Sequence, residues 1–432
     1  MNLSGWGNFP RIESTRFFFE TRKELAAHLA IPVTTVAYGL GRSYGDAALN
    51  RNVICTTRFD KLLDFDADTG VVTCESGVTL ADLVETFLPA GWFLPVTPGT
   101  RFITVGGAIA SDVHGKNHHV AGCFSEFVSA LDLILPGGDV LTCSRDENSE
   151  LFHATCGGMG LTGVILSAHI RLMAVKSACI DTATIVCRNL EESLNAFEEH
   201  RQATYSVAWI DCLARGRQLG RSILFTGEHA TGGGLAPAPP GSRPMPSLFP
   251  GAALNRFSMT LFNRLYFQHN CRQEGRRRVS LYPFFYPLDA IDGWNRMYGR
   301  QGFLQYQCVL PKETAAEGFH LLLDRIARSG LGSFLSVLKL FGPENGNLLS
   351  FPMEGYTLAL DFKRCRALFP LLEELDHMVA ARGGRLYLAK DARMSRAVFE
   401  SGYPRLGQFR ELRRHLGLGG KFSSLQSNRL EV

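Results

Sequence analysis

Between residues 20 and 30 the run ETRKELAAHLA sets apolar positions on one side of a helical turn and charges on the other, which predicts a short amphipathic helix. TTVAYGLGRSYGDAALN then joins a strand-like stretch to a glycine-rich loop. Residues 70–76 (GVVTCES) alternate as a strand does, and Leu80 to Leu88 reads as a helix. After PGT at 98–100 and VGGAIASDVHGKNHH at 105–119, the run following Phe127, VSALDLILPGGDVLTCS, predicts two strands joined at Pro136-Gly137-Gly138. Glu150 to Thr155 suggests a helix. GGMGLTGVIL is a glycine-rich turn leading into a strand that continues through His169-Ile170-Arg171-Leu172. Mixed strands and helices with repeated glycine loops make this N-terminal part an α+β domain.

Beyond it the glycines thin out. Residues 231–252 (TGGGLAPAPPGSRPMPSLFPGA) are rich in Pro and Gly and read as a loop excursion, neither strand nor helix. Phe303 to Leu310 and Tyr356 to Phe362 look like strands; Glu313 to Ala327 and Ala367 to Arg382 look like helices. No repeat of solenoid length is visible.

A length of 432 residues exceeds one ordinary core and suggests two domains. A formal charge of +4 gives no global electrostatic case for nucleic acid. The eleven cysteines are dispersed without a CxxC pair, which argues against a zinc or thioredoxin-like site and fits reduced thiols in the cytoplasm. The N-terminus lacks the charged and apolar regions of a signal peptide, and no run of 18 apolar residues is present to span a membrane; lipid contact at the surface stays open.

Three loops carry the chemical signal: Gly39 to Asp46 (GLGRSYGD), Pro98 to Asn117, and Gly157 to Gly163 (GGMGLTG). Glycine lets backbone amides approach a phosphate, and successive amides in such turns form an anion-binding concavity. One such loop alone is an ordinary turn; three within the N-terminal part point to a pyrophosphate held from both sides. Neither a GxxxxGK[ST] loop nor a GxGxxG opening a βαβ unit with its downstream acid is present, so P-loop and Rossmann sites are not supported.

GLGRSYGD, PGTRFITVGGAIASDVHGKNHH and GGMGLTGVI together resemble the vanillyl-alcohol-oxidase, or PCMH, type of FAD domain, and more narrowly the decaprenylphosphoryl-β-D-ribose 2-oxidase family. YSVAWIDC, FLQYQCVLP, FLSVLKLFGPENGNLLSFP and GGRLYLAKDAR continue the likeness in order, so it covers nearly the whole chain. The resemblance implies a two-domain α+β PCMH-type fold: an FAD-binding domain over 1–178, a substrate-binding domain on an antiparallel sheet over 179–384, and a C-terminal return to the FAD domain over 385–432. It implies non-covalent FAD contacted by Ala37, Tyr38, Gly39, Leu40, Gly41, Arg42, Ser43, Tyr44, Gly45, Asp46, Ala47, Gly99, Thr104, Val105, Gly106, Gly107, Ser111, Asp112, Val113, His114, Ile165 and Tyr387. Arg42 stands where related flavoproteins often carry a covalently linked histidine; a guanidinium stays protonated and suits a pyrophosphate.

Oxidation of an alcohol by a flavin removes a hydride and a hydroxyl proton, so the protein must supply a proton acceptor and positive charge near the reduced ring. By resemblance Lys390 fills the second role and is a candidate for the first; His114 and Tyr44 are further catalytic candidates. Gln305, Gln307, Lys339 and Lys390 are implied to line the substrate pocket, and 305 and 307 share one face of a strand. No metal is expected, since adjacent His118 and His119 rarely supply two ligands from one element. In mycobacterial members of the family a cysteine lies beside the flavin, where this chain has Ala359. The expected activity is oxidation of a secondary sugar hydroxyl, most specifically the C2′ hydroxyl of a polyprenyl-phospho-pentose, with a short-chain dehydrogenase partner reducing the ketone. An aldonolactone oxidase and a non-catalytic flavin-binding scaffold are the alternatives. Residues 255–278 (NRFSMTLFNRLYFQHNCRQEGRRR) combine aromatic and basic residues; they suit either peripheral contact with the inner face of a membrane or an ordinary flap of the substrate domain.

Overall fold

The computed structural model describes residues 1–235, 241–246 and 254–432. Helix starts follow local hydrogen-bond chemistry. Thr21 and Glu24 form a capping box on the helix Arg22–Leu29, which buries Leu25 and Leu29. Thr79 and Asp82 do the same for Leu80–Phe87, whose Leu80, Leu83, Val84 and Phe87 repeat at helical spacing on the buried side. Besides two small two-stranded pairs, the N-terminal part holds two larger sheets. One is parallel, in the order Thr15–Phe18, Asn52–Cys55, Val36–Tyr38. The other is antiparallel and five-stranded, in the order Val140–Ser144, Val128–Ile134, Val164–Arg171, Val71–Glu75, Leu62–Asp66.

A second antiparallel sheet of eight strands runs in the order Gly275–Ser280, Cys179–Cys187, Ser222–His229, Tyr205–Ile210, Ser336–Phe341, Gly355–Lys363, Phe303–Pro311, Arg385–Leu386. Side chains alternate between its faces. Leu304, Tyr306, Cys308 and Leu310, with Leu338 and Leu340, and with Tyr356, Leu358, Leu360 and Phe362, enter one continuous core. The helices Leu190–Glu199, Lys312–Ser329 and Leu368–Ala380 bring Phe197, Phe319, Leu322, Leu323, Leu371 and Leu375 to that same core. The long helix stops at Gly330, whose φ of +72° gives the left-handed cap that other residues adopt at a cost. The intervening strand positions are thereby left to the opposite face.

The chain end returns to the N-terminal part. Thr35 bridges Phe422, Leu418 and Phe422 pack with Phe19, Leu25 and Ile54, and Leu425 packs with Leu3 and Val53. In the Pro/Gly-rich excursion, 236–240 and 247–253 lie outside the described residues. One part of it does pair: Arg243–Pro244 runs parallel to Ile291–Asp292, a two-residue strand where a loop is expected. Proline at its end is compatible, since so short an edge asks for little ladder bonding. Asn255 caps the helix Arg256–Cys271, and the basic strand Gly275–Ser280 follows it; the residue pattern alone does not separate the two.

Candidate active site

Between the glycine loops and the free face of the eight-stranded sheet lies a cavity of about 820 Å³. That is toward the upper end of the ~300–1,000 Å³ usual for cofactor and small-molecule sites. Register explains its floor. Gln307 faces Ala359 across the ladder, Ala359 faces Val337, and Val337 faces Trp209, so these side chains share one surface. Gln305, Gln307, Val337, Lys339, Ala359 and Trp209 all line the cavity. Ala359→Cys should therefore introduce a thiol that an alkylating reagent labels faster in substrate-free than in substrate-filled enzyme; equal rates would place residue 359 outside the substrate's reach.

The roof is the first glycine loop. Among the described residues, the backbone N–H groups of Leu40, Gly41, Arg42 and Ser43 donate to no protein acceptor, which leaves four consecutive donors at the cavity. Gly41 sits at φ +63°, and a Cβ there would meet the Tyr38 hydroxyl at 2.1 Å. Arg42 stacks on Trp6 at 4.0 Å and donates to the Phe102 carbonyl at 3.1 Å. Burial lowers its pKa, opposed by Asp289 and Asp292. A donor set of free amides and one guanidinium, all on the cavity wall, fits the diphosphate of a dinucleotide.

Of the residues expected around the cofactor, Ala37 to Tyr44, Ala47, Gly99, Thr104, Gly106, Gly107, Ser111, Val113, His114, Ile165 and Tyr387 line the cavity. Four do not. Val105 is buried in the neighbouring core. Asp112 is fully buried and accepts from Asn345, Asn347, Ser350 and the Ser125 N–H. Gly45 packs so tightly that a Cβ would lie 1.7 Å from the Asp391 carbonyl oxygen. Asp46 pairs with Arg429 at 2.9 Å, and Arg429 also holds Asp391 at 2.8 Å. Gly45 and Asp46 thus pin the loop 388–394, where Lys390 sits.

Three lysines converge on the cavity. Lys390 Nζ lies 3.7 Å above the Tyr44 ring, and its N–H closes a turn on the Tyr387 carbonyl. Burial pushes its pKa down to about 7; Asp361 resists and Lys339 adds to the fall. Burial alone brings Lys339 to about 8. Lys116, absent from the expected site, reaches about 7 through burial and Lys339; its Nζ donates to the Phe284 carbonyl and lies 4.4 Å from that ring.

His114 is held neutral, well below its ordinary pKa, by burial and then by Lys339, His118 and Lys390. Its tautomer follows from its neighbours. Thr357 donates its hydroxyl to the Cys308 carbonyl, so it must accept from the Gln307 amide, 3.2 Å away. The other proton of that amide then points at His114 Nε2, 3.1 Å away, which has to be an acceptor. The proton of His114 therefore sits on Nδ1, which has no partner among the described residues. His118 accepts from the Gly342 N–H instead, and among the described residues no cluster of His, Cys, Asp and Glu is placed to hold a metal.

The FAD binding domain family matches residues 21–144. A decaprenylphosphoryl-β-D-ribose oxidase of Mycolicibacterium smegmatis is 38% identical over 414 residues, covering 92% of this chain and 89% of the relative. An uncharacterised Streptomyces coelicolor protein is 34% identical over 371 residues, 82% of this chain and all of its own length. A D-lactate dehydrogenase of Anaerostipes hadrus is 29% identical over 170 residues, 38% of this chain and 36% of its own.

Proposed function

This chain belongs to the decaprenylphosphoryl-β-D-ribose oxidase family of FAD-dependent oxidoreductases, and from that premise we propose that it oxidises the C2′ hydroxyl of a polyprenyl-phospho-pentose to the ketone. The observation that carries the reading is the convergence of Lys390, Lys339 and Lys116 with Gln305, Gln307 and neutral His114 on one cavity beside the glycine loops. FAD supplies the hydride-accepting ring. Ala37 to Ser43, with Gly99, Thr104, Gly106 and Gly107, would hold its diphosphate, without a covalent bond, because Arg42 offers no ring nitrogen for one. Acid precipitation should accordingly release all the yellow colour into the supernatant; a coloured pellet would contradict this.

The chain's own residues supply the acid–base chemistry. Lys390, with a pKa near neutrality, accepts the hydroxyl proton as the free amine. The resulting ammonium then faces the negative charge that hydride transfer creates. Lys339, Gln305 and Gln307 bind sugar and phosphate oxygens, His114 donates from Nδ1, and the Tyr44 ring fixes the height of Lys390. The boundaries 1–178, 179–384 and 385–432 divide flavin-holding from sugar-holding parts in this reading.

The Arg256–Cys271 helix lends the substrate a lipid side. Phe262 and Tyr266 line the cavity, while Phe257, Leu261 and Leu265, one turn apart, are exposed beside Arg264 and Arg272 and the arginines 276–278. No helix among the described residues is long and apolar enough to cross a membrane, so this face is proposed to rest on an anionic bilayer. A dehydrogenase partner reducing the ketone would complete an epimerisation. Single turnover with C2′-deuterated substrate tests the assignment. The ketone should carry no deuterium at C2′; a product that retains it would place the chemistry at another carbon.

A further inference from the structure

Asp361 lies on the same sheet face as the cavity floor, on the strand Gly355–Lys363 directly opposite Gln305, covered beside the lining and not part of it. It is 1% exposed, and no arginine or lysine comes within ion-pair distance of it among the described residues. Oδ1 accepts from Gln305 Nε2, and Oδ2 is buried without a hydrogen-bond partner among the described residues. A buried carboxylate left half satisfied is destabilising, so its presence needs a reason. The Tyr298 hydroxyl beside it is also buried and unpartnered, and Tyr44 lies on the same side, under Lys390.

We propose that Asp361 is a positioning residue for this site, orienting Gln305 and serving Lys390 as a counter-charge from beside the cavity floor. The orientation follows from the hydrogen bond. With its amide nitrogen committed to Asp361, Gln305 turns its carbonyl oxygen to the cavity as an acceptor. Gln307, whose amide nitrogen is committed to Thr357 and His114, does the same. The floor then presents two acceptors for sugar hydroxyl protons, and the lysines supply the donors. The counter-charge role follows from the inventory of groups. Lys390 lies over the Tyr44 ring and interacts with Lys339, neutral His114 and Asp361, and among the described residues Asp361 is the carboxylate that favours its ammonium form. Burial holds Asp361 itself up at about 7, with Gln305 and Lys390 pulling it down. Each group thus favours the charged form of the other, so their protonation is linked. Without Asp361, two buried lysines would repel across the cavity with nothing to restrain Lys390 from losing its proton outright.

The inference rests on the place given to Lys390 above, but its test needs no substrate. In holoenzyme carrying ¹³C-labelled lysine, the Lys390 Cε resonance, assigned by its loss in Lys390→Met, reports the protonation of Nζ directly. Asp361→Asn is isosteric and can still accept from Gln305. It should move the Lys390 midpoint to lower pH by about one unit or more, the usual effect of an opposite charge nearby. A midpoint unchanged from wild type overturns the proposal. The reciprocal measurement covers a poorly folding Asp361→Asn. In Lys390→Met the infrared band of the protonated Asp361 carboxyl should persist to higher pH than in wild type, and an unchanged band equally overturns it. A merely structural carboxylate would lower the melting temperature when replaced and move neither midpoint. Both readouts stand whichever sugar is oxidised, so their failure leaves the substrate assignment untouched, and the reverse holds as well.

Discussion

Lys390→Ala is expected to keep its fold and most of its FAD while losing about 10²–10³ in the rate of substrate-dependent flavin reduction, the usual cost of removing one preorganised charge from a reacting centre. The fold should survive because Lys390 makes no ion pair within contact distance among the described residues and its Nζ lies over the Tyr44 ring. Its cost in stability is small, and its loss in function is large, because the same nitrogen takes the proton and then carries the charge. Lys390→Arg should recover little. A guanidinium stays protonated at neutral pH and cannot accept the hydroxyl proton, and its planar fork does not fit where a point charge sat. Stopped-flow bleaching with lipid-linked sugar measures both variants. A near-normal rate in Lys390→Ala would remove Lys390 from the mechanism and leave His114 or Tyr44 to take the proton.

Arg429→Met should destabilise the protein by about 3–5 kcal/mol, the typical result of leaving buried charges without their partner. Arg429 is the shared cation of Asp46 and Asp391, two carboxylates with almost no exposure. Burial opposes the ionisation of Asp391, but Arg429 and Arg393 outweigh it and hold its pKa down, whereas burial wins at Asp46 and lifts it to about 6. The pH dependence follows in sign. Asp391 stabilises the native state when ionised, so its contribution is present at neutral pH and lost in acid. In the variant, protonation removes the charge left without a partner. The gap from wild type should be widest above pH 6 and narrow as the pH falls. Denaturant melts at two pH values would show it; a loss under 1 kcal/mol at pH 7 would mean that water or another group takes over from Arg429.

The floor of the cavity is legible in the sequence wherever alternation is regular. Gln305 and Gln307 interrupt an apolar strand two residues apart, and that spacing alone puts both on one face. Lys390, Lys339 and His114 are legible only through motif resemblance, since a lysine in a short segment otherwise reads as solvent-exposed. Lys116 and Asp361 stay hidden for that same reason in reverse. Burial of a charged residue depends on which distant strand lies opposite, as Gln305 does for Asp361, and local pattern does not encode that pairing. Asp46 and Asp112 sit in the cofactor loops, which makes them look like cofactor ligands. In the structure their carboxylates turn away from the cavity, to Arg429 and to Asn345, Asn347 and Ser350 respectively. Loop membership fixes where the backbone runs, and the partner 383 residues away fixes where the Asp46 side chain points. The Arg256–Cys271 helix is obscured by its own exposure. Its outward positions carry Phe257, Leu261 and Leu265 rather than polar residues, so the usual contrast between faces is weak.

Anaerobic titration of the purified yellow protein tests the central claim most directly. The flavin absorbance should bleach on addition of a polyprenyl-phospho-pentose, with the 2-keto sugar formed in equal amount, and should stay unchanged with free pentoses or aldonolactones. Bleaching by an aldonolactone, with no response to the lipid-linked sugar, would contradict the account and turn the same cavity over to a soluble lactone substrate.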